Sequence, residues 1–258
     1  IWISSEHDGK WEVPRKIAED KLPLWNPVLF YDSGLLALFF RRGETVDQWK
    51  SFVMFSRDGG QTFDEPRLLP DGFLGPIKNK PIKMSNGEWL CGSSTEPEWV
   101  SIMEIYDPKK DCWKSQSILQ VPDQPVNSGI IQPALWESKP GCVHALMRSS
   151  LCRLYRADSE DYGRTWNAPY ATELPSNNSG IDLVRLPGGE LVLAYNPIAA
   201  NWGKRSPLIL SMSTDNGKSW PWHYTLEAEE PFGMDTRYMG RYSYPALIEA
   251  PGGVACFY

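Results

Sequence analysis

The chain has 258 residues, of which 41% are hydrophobic and 22% are charged, so it is long enough to bury the core of one all-β domain. Its formal net charge of −6 argues against nucleic acid or an anionic membrane as the main partner. The apolar run Leu35–Phe40 is far too short to cross a bilayer, so no membrane span is predicted.

Short runs rich in β-branched and aromatic residues, separated by turn residues, predict strands in consecutive groups of four. An opening pair is predicted at Ile1–Ser5 and Trp11–Ile17. The complete groups are predicted at Trp25–Tyr31, Leu35–Arg41, Ser51–Ser56 and Phe63–Leu69; at Lys80–Met84, Glu88–Ser93, Val100–Tyr106 and Cys112–Leu119; at Ile130–Trp136, Cys142–Arg148, Cys152–Ala157 and Thr165–Ala171; and at Ile181–Leu186, Glu190–Tyr195, Leu208–Met212 and Ser219–Leu226. A last pair begins with Tyr242–Glu249 and continues to Tyr258.

One eight-residue pattern, S-x-D-x-G-x-[T/S]-[W/F], closes a hairpin in three of these groups. It occurs at Ser56–Phe63, Ser159–Trp166 and Ser213–Trp220. Its Asp can accept hydrogen bonds from the amides of its own turn, and its Gly supplies a positive φ. The aromatic residue starts the next strand and packs beneath the turn. The pattern therefore predicts a structural rather than a catalytic role for these Asp residues.

The pattern recurs at a regular interval. Two weaker copies, Ser5–Trp11 and Tyr106–Trp113, fill the gaps between the three clear ones. The closing aromatic residues stand at positions 11, 63, 113, 166 and 220, which are 52, 50, 53 and 54 residues apart. A regular period of about 50 residues indicates a repeat array, and one four-stranded blade of a β-propeller has about this length.

The eight-residue pattern, its period and its flanks resemble the Asp-box (BNR) repeats of the sialidase superfamily over essentially the whole chain. The resemblance implies an all-β fold, a six-bladed β-propeller of four-stranded antiparallel blades whose first and last blades are incomplete here. The strand groups alone also allow five blades, if the two end pieces join. Because no Pro/Gly/Ser linker or charge run divides the chain, residues 1–258 are predicted to form a single domain.

A propeller brings the innermost strands of all its blades together at one end of its axis. A ligand bound there meets residues at the starts of first strands and the ends of second strands. Polar groups stand at these points although the strand interiors are apolar, and burying them is costly unless they are paired or serve a ligand. The candidate substrate-binding residues at these points are Asn26, Lys80, Glu96, Asp182, Tyr195, Asn196 and Tyr244.

Three further positions match the sialidase pattern. Arg148 and Arg205 resemble the second and third carboxylate-binding arginines of the family, and Tyr242 resembles its nucleophilic tyrosine. Two guanidinium groups can hold one carboxylate through charge-assisted hydrogen bonds. A neutral phenol also approaches an anionic sugar with less repulsion than a carboxylate nucleophile would, and tyrosine nucleophiles are known among glycosidases.

The chain departs from the family pattern in two ways. Gln132 stands where the family has the glutamate that partners the tyrosine, and an amide cannot take a proton at neutral pH. We expect Gln132 to orient the tyrosine or the substrate, and Glu96, Asp182 and Glu249 are the candidate replacements for the missing base. The family's first arginine and its acid/base aspartate are expected upstream of Ile1.

Other residues give weaker indications. Trp202 could stack on a sugar ring. His144 shares a strand face with Arg148 by the two-residue alternation, but a structural role is expected, since the histidines sit with Ser or Cys in no triad pattern. The five cysteines contain no Cys-x-x-Cys, so no zinc site is predicted, and their scattered odd number favours a reducing compartment such as the cytoplasm. Neither a metal nor an organic cofactor is expected.

The resemblance implies an exo-glycosidase that hydrolyses a terminal acidic, sialic acid-like sugar, so the expected partner is an acidic sugar or oligosaccharide. Two alternatives stay open. Gln132 favours a related propeller enzyme that acts on uronate-type sugars by hydrolysis or elimination, because the tyrosine–glutamate couple is broken. The other alternative is a propeller that binds carbohydrate without turnover.

Overall fold

The computed structural model describes residues 1–96, 98–228 and 242–258. The chain divides into two compact units, Ile1–Lys80 and Pro81–Tyr258, each with its own sheets. The prediction of a single domain therefore stays a prediction. Within the described residues, helix is confined to one short turn at Val46–Gln48, and none is long and apolar enough to cross a membrane.

The first unit contains one four-stranded antiparallel sheet, in the order β5-β6-β7-β8, and two small strand pairs, β1 with β4 and β2 with β3. Its strands are β1 (Trp2–Ile3), β2 (Glu6–His7), β3 (Lys10–Trp11), β4 (Arg15–Lys16), β5 (Leu24–Asp32), β6 (Leu35–Arg42), β7 (Lys50–Ser56) and β8 (Arg67–Leu68). Leu38, Phe40, Phe52 and Met54 form its core. The apolar second strand predicted from Leu35 onward is thus confirmed as a buried strand.

The second unit contains three four-stranded antiparallel sheets, in the orders β9-β10-β11-β12, β13-β14-β15-β16 and β17-β18-β19-β20, and the hairpin β21-β22. Its strands are β9 (Ile82–Lys83), β10 (Trp89–Thr95), β11 (Val100–Asp107), β12 (Cys112–Leu119), β13 (Ile130–Lys139), β14 (Cys142–Ser149), β15 (Arg153–Ser159), β16 (Tyr170–Pro175), β17 (Asp182–Arg185), β18 (Leu191–Tyr195), β19 (Leu208–Ser213), β20 (Trp222–Glu227), β21 (Ala246–Ala250) and β22 (Gly253–Phe257).

The sheets of the second unit pack face to face in chain order. Leu90 of one sheet and Ala145 of the next belong to the same core, while Leu146, on the opposite face of β14, shares a second core with Leu191. The middle sheet is therefore covered on both faces. This explains why its two inner strands, β13 and β14, are buried along most of their length rather than on one face only.

The Asp boxes act as turn-formers, as their pattern predicts. In the second clear copy, Asp161 accepts hydrogen bonds from the backbone N–H of Thr165 at 2.8 Å and from its hydroxyl at 2.6 Å. Asp215 makes the same two bonds with Ser219, at 2.9 and 2.6 Å. Both carboxylates are thus engaged by their own turns.

The outermost strands begin later than the sequence predicts. Three of them were predicted to start at or directly before the closing aromatic of the box, but each starts beyond a proline that follows it. A proline has no N–H to give to the strand ladder, so regular pairing resumes after it. The prolines are Pro66, Pro169 and Pro221, and the observed strands are Arg67–Leu68, Tyr170–Pro175 and Trp222–Glu227. The last innermost strand likewise starts at Ala246, after Pro245, rather than at Tyr242.

A polar network joins the middle sheet to the Asp box of the next. The His144 ring bonds to Ser138 through Nε2, at 2.7 Å, and to Asp158 through Nδ1. Arg156 donates to Asp158 at 2.8 Å and to the carbonyl of Asn216, in the neighbouring box, at 2.7 Å. No triad pattern around His144 is visible in the sequence, yet the fold assembles a hydrogen-bonded Ser–His–Asp series. Because Arg156 binds both the Asp158 carboxylate and the Asn216 carbonyl, this hydrogen-bond network links two sheets.

Acid is expected to weaken this network. Burial alone would raise the pKa of Asp158, but hydrogen bonds from His144, Arg156 and Tyr170 outweigh it and lower the pKa to about 2. An unfolded Asp titrates near 3.9, so the network contributes about 2 kcal/mol of stability at higher pH. That contribution is lost as the pH falls from about 4 to about 2. Urea unfolding between pH 2 and pH 6 measures it, and Asp158→Ala is expected to flatten the dependence in this window.

Candidate functional site

Two innermost strands of the second unit start with the same local sequence and the same backbone kink. Gln132 precedes Pro133 and Ala134, as Tyr244 precedes Pro245 and Ala246. Both residues have a positive φ, 56° for Gln132 and 59° for Tyr244, which is uncommon for residues other than glycine. Gln132 lies in a bulge of the ladder between β13 and β14. Bulges and strained φ values of this kind re-aim a side chain and are common beside functional sites.

Both side chains converge on Arg148, near the end of β14. The Arg148 Nη1 donates to Gln132 Oε1 at 3.1 Å and to the Tyr244 hydroxyl at 2.8 Å. Its Nε donates to Asn178 Oδ1 at 3.2 Å. The structure thus brings Gln132 to Arg148. All three acceptors are neutral groups.

Aromatic rings complete the surroundings of Arg148. The guanidinium carbon lies 5.5 Å from the ring centroid of Trp99, 6.0 Å from that of Trp202 and 5.7 Å from that of Tyr244. Trp99 is buried, whereas Trp202 and Tyr244 are exposed. Aromatic faces attract cations. The rings therefore help to hold the charge of Arg148 in place and offer flat surfaces to a ligand.

Trp99 is fixed by a close backbone contact. Its carbonyl accepts from the N–H of Ile130 at 3.1 Å. A Cβ added at Gly129 would lie 2.3 Å from the same carbonyl oxygen, so only glycine fits there. The sequence analysis missed Trp99, since nothing in the sequence near it indicates that its ring meets Arg148.

Arg148 has a buried charge without an anionic partner. Its side chain is 2% exposed, and no carboxylate lies within ion-pair distance of it among the described residues. Burial lowers the pKa of the Arg148 guanidinium; Tyr244 and Glu96 partly offset this, and the charge of Arg205 adds to it. Even so, an arginine keeps its charge in proteins. A buried cation held only by neutral groups favours binding of an anion.

Arg205 approaches the same tyrosine. Its guanidinium carbon lies 5.3 Å from the Tyr244 ring centroid, and its Nη1 donates to the hydroxyl of Ser243 at 3.1 Å. Like Arg148, it has no carboxylate partner among the residues the structure describes. The predicted pairing of Arg148 and Arg205 at one place in the fold is therefore seen, and Tyr244 lies in contact with both.

Tyr242 does not take the place that the sequence analysis gave it. Its ring packs edge-on against Tyr258, with centroids 6.1 Å apart. Its backbone N–H donates to the Arg205 carbonyl at 3.1 Å, and its carbonyl accepts from Asn196 at 3.0 Å. The hydroxyl beside Arg148 belongs to Tyr244. The kink before Pro245 explains the difference, because it turns residue 244 toward the arginines.

Asn178 connects Arg148 to the loop that carries Trp202. It is 1% exposed; its Oδ1 accepts from Arg148, and its Nδ2 donates to Asn201 Oδ1 at 2.7 Å. The sequence analysis did not select it, although it lies in a polar run just before β17. Asn177, next to it, is the asparagine of an Asn-x-Ser sequence, but it is buried and donates to the Lys204 carbonyl at 2.6 Å.

Replacing Asn178 with aspartate is expected to weaken binding of an anion at Arg148 about tenfold. The variant keeps the shape and the acceptor but gives Arg148 a buried carboxylate partner, which neutralises the charge offered to a ligand. Titration calorimetry with the methyl α-ketoside of N-acetylneuraminic acid measures the change. Asn167→Asp, the same change at an exposed position whose side chain bonds to the backbone of Asp158, is the control. Equal losses in the two variants would contradict the role given to Asn178.

Several other predicted binding residues serve the scaffold. Asp182 is buried and accepts from the backbone N–H groups of Leu247, at 2.7 Å, and Leu183, at 2.8 Å, which ties β17 to β21. Tyr195 is buried in the core between two sheets, where burial raises the pKa of its hydroxyl. Neither position suits the substrate contact predicted for it, and Asp182 is equally unsuited to replace the missing base.

The structure shows interactions with the site for two of the remaining candidate residues, Asn196 and Glu96. Asn196 is buried and donates to the carbonyls of Pro207 and Tyr242, at 2.8 and 3.0 Å, so it positions the chain that leads to Tyr244. Glu96 is exposed, and its charge acts on Arg148. Asn26, which shares the positive φ before a proline, and Lys80 both belong to the first unit, so their binding roles stay predictions.

The described residues contain no cluster of three or more His, Cys, Asp or Glu side chains that could hold a metal ion. The five cysteines are free thiols. The chemistry available at Arg148 and Arg205 is therefore that of two cations, a phenol, two amides and two indole rings. Such a set suits recognition of a carboxylated ring compound, because the cations bind the carboxylate and the rings pack against carbon.

Comparison with known structures finds sialidases. A Hadza microbial sialidase superposes with a TM-score of 0.65 at 17% sequence identity, covering 95% of this chain and 54% of that one. Trypanosoma rangeli sialidase in complex with the inhibitor DANA gives a TM-score of 0.66 at 13% identity, covering 96% and 45%. A Dyadobacter fermentans protein of unknown function gives 0.70 at 16% identity, covering 96% and 79%. The chain thus spans about half the length of these sialidases.

The four-stranded antiparallel sheets, together with these likenesses, define a β-propeller of the sialidase type. Four complete blades are seen among the described residues, and the count of six stays a prediction. The sequence signature of the BNR repeat-like domain matches residues 1–256, so the chain belongs to that family. A comparison with curated proteins finds no significant match.

Proposed function

We propose that this propeller binds a terminal acidic sugar of the sialic acid type and hydrolyses its glycosidic bond. The observation that carries the proposal is Arg148, a buried guanidinium beside Arg205, with neutral hydrogen-bond partners only. The likeness to sialidases supports it, since the Trypanosoma rangeli enzyme is also seen with 2,3-difluorosialic acid as a covalent intermediate.

The residues take the following roles in this proposal. Arg148 and Arg205 hold the carboxylate of the sugar, and Tyr244, rather than Tyr242, supplies the phenol that attacks the anomeric carbon. The phenol proton must pass to a base as the new C–O bond forms and the leaving oxygen departs with a proton as an alcohol; a water molecule then cleaves the C–O bond, which frees the sugar and restores the phenol. Gln132 cannot take this proton, so it acts by orienting Arg148, and exposed Glu96 is the candidate base.

A second candidate function uses the same groups. An enzyme that cleaves uronate chains by elimination needs a cation on the carboxylate and a base at the neighbouring carbon. Arg148 could supply the first and Tyr244 the second. Gln132 favours this alternative, because the tyrosine–glutamate couple of the sialidase pattern is broken.

A turnover assay separates these functions. We expect release of fluorophore from a 4-methylumbelliferyl sialoside, and no unsaturated product from uronate-ended oligosaccharides. Unsaturated product would favour elimination, and binding without either reaction would favour a carbohydrate-binding propeller. Activity that survives Arg148→Ala and Arg205→Ala unchanged would end the assignment of this site.

The two tyrosines give a direct internal comparison. Tyr244→Phe is expected to lower kcat at least about 100-fold, because it removes the attacking oxygen. Tyr242→Phe is expected to keep kcat within about threefold, because the contacts of that residue use its backbone and its ring. Steady-state kinetics on the fluorogenic sialoside measures both. The reverse order of the two effects would restore Tyr242 as the nucleophile.

A further inference from the structure

A second concave site, here called the outer cleft, lies in the second unit between the sheet of β13 to β16 and the sheet of β17 to β20. Its volume is about 550 Å³, within the usual range of pockets that hold small ligands. One wall is β16, from Thr172 to Pro175, and the other consists of box residues 217–220 and side chains on or next to β18, β19 and β20. None of these residues is a hydrogen-bond or ring partner of Arg148 or Arg205 among the described residues, so the two sites are separate.

The inner side of the outer cleft is apolar. Leu174 and Ile209 belong to the core between the two sheets, and the ring of Trp220 packs against that core. Pro175 and Pro197 complete this surface. The C–H groups on one face of a pyranose ring are also apolar, and they pack well against an indole ring. The inner side therefore fits one face of a sugar.

One polar group of the outer cleft is held in place and has an unused nitrogen. His223 is exposed on β20, and its Nδ1 lies 2.7 Å from the hydroxyl of Ser211. Ser211 is 1% exposed and also hydrogen-bonds to the hydroxyl of Tyr195, so this attachment is itself fixed. The His223 Nε2 has no hydrogen-bond partner among the described residues. An imidazole nitrogen can donate or accept, and a sugar hydroxyl can do both.

The charged residues that line the outer cleft have opposite signs. They are Glu173 and Lys218, both exposed. A cleft lined by charges of one sign attracts ions of the other, whereas charges that cancel give no such attraction. The outer cleft thus differs from the surroundings of Arg148 and Arg205, and it favours an uncharged ligand.

The preceding pair of sheets has a cleft at the equivalent place but without the imidazole. This neighbouring cleft, of about 760 Å³, lies between β12 and the box tryptophan Trp166. Pro169, three residues after Trp166, stands where His223 stands three residues after Trp220. A proline side chain neither donates nor accepts a hydrogen bond. The two clefts share a tryptophan wall, and the outer cleft adds the group that can hold a hydroxyl.

We infer that the outer cleft is a second carbohydrate site, which binds a neutral pyranose ring against Trp220 with a hydrogen bond to Nε2 of His223. The inference goes beyond the proposed function and does not depend on it, because the two sites use different residues. It gives the protein a point of attachment for an uncharged sugar of a glycan in addition to the site for an acidic one.

The chain has three histidines, so its imidazole NMR signals can each be assigned by a single His→Gln variant. The whole chain, with labelled histidine, is titrated with the methyl glycosides of glucose, galactose, mannose, rhamnose and N-acetylglucosamine. At least one glycoside is expected to shift the His223 signal in a saturable way and to leave the signals of His7 and His144 in place. If none of the five shifts the His223 signal, the inference is overturned.

Two variants with matched controls identify the contacts, with saturation-transfer NMR of the bound glycoside as the readout. His223→Gln is expected to weaken binding about fivefold through the lost hydrogen bond, and His7→Gln, at another exposed histidine, should not. Trp220→Leu is expected to weaken binding at least about tenfold, because it removes the wall against which the ring packs. Trp166→Leu, the same change in the neighbouring cleft, should leave binding intact. If Trp220→Leu fails to fold, the histidine pair decides.

The outcomes separate this inference from the proposed function. Binding that persists unchanged in both His223→Gln and Trp220→Leu would place the neutral sugar elsewhere and overturn the inference. Displacement of the neutral glycoside by the methyl α-ketoside of N-acetylneuraminic acid would show one shared site and would also overturn it. Neither result touches the proposed function, which is measured with the acidic sugar at Arg148.

Discussion

Arg148→Met is expected to weaken binding of the methyl α-ketoside of N-acetylneuraminic acid at least about 100-fold, the loss that a strong charge-assisted contact to a carboxylate implies. Methionine keeps the aliphatic packing of the arginine stem and removes only the charged end. Because the rings of Trp99 and Trp202 lie close to the guanidinium, their fluorescence should respond to the ligand and give a second readout beside calorimetry.

The same variant is expected to fold with little change in stability, within about 2 kcal/mol. No carboxylate is left behind when the charge is removed, so the large penalty of breaking a buried ion pair does not arise. Arg185→Met, an exposed arginine at the far end of β17, is the control and should bind normally. Normal binding by Arg148→Met would show that the anion is held elsewhere.

Asp158→Asn is expected to cost about 3 kcal/mol of unfolding free energy, which for a unit of this size lowers Tm by roughly 8 °C. The carboxylate accepts from His144, Arg156 and Tyr170, and an amide turns one of its two acceptors into a donor facing these groups. The expected loss is large because Arg156 is left buried without its anion.

Tyr170→Phe provides the matched comparison. It removes one hydrogen bond to the same carboxylate, at 2.8 Å, and leaves the ion pair with Arg156 intact. A loss of about 1 kcal/mol is expected. Thermal unfolding of both variants measures the difference. Similar losses in the two would mean that the charge of Asp158 contributes little to joining the sheets.

Much of the fold could be predicted from the sequence because its signals are local. The box residues form their own turns, so Asp161 and Asp215 are recognisable wherever the pattern occurs. Second strands such as β6 and β18 follow from nearly uninterrupted apolar runs. The outermost strands start later than predicted because pairing begins after the proline that follows the box, rather than at the aromatic residue that closes it.

The site could be predicted only in part because it is assembled from distant segments. Arg148 and Arg205 were found because their neighbours match a family pattern. Tyr244 was assigned a lesser role than Tyr242, since the choice depends on a positive φ before Pro245 that one sequence does not reveal. The likeness between Gln132–Leu135 and Tyr244–Leu247 was the available signal. No sequence signal marks Trp99 or Asn178, because their roles depend on loop geometry.

The shared kink also bears on how such a site can change over time. At both positions a positive φ stands directly before a proline, so the main chain holds the residue just before the proline in one direction whatever its side chain. The residue at that position is Gln132, an amide, in one repeat and Tyr244, a phenol, in another. A duplicated array thus provides interchangeable positions around a common centre, where a single codon can alter the chemistry while the architecture is untouched.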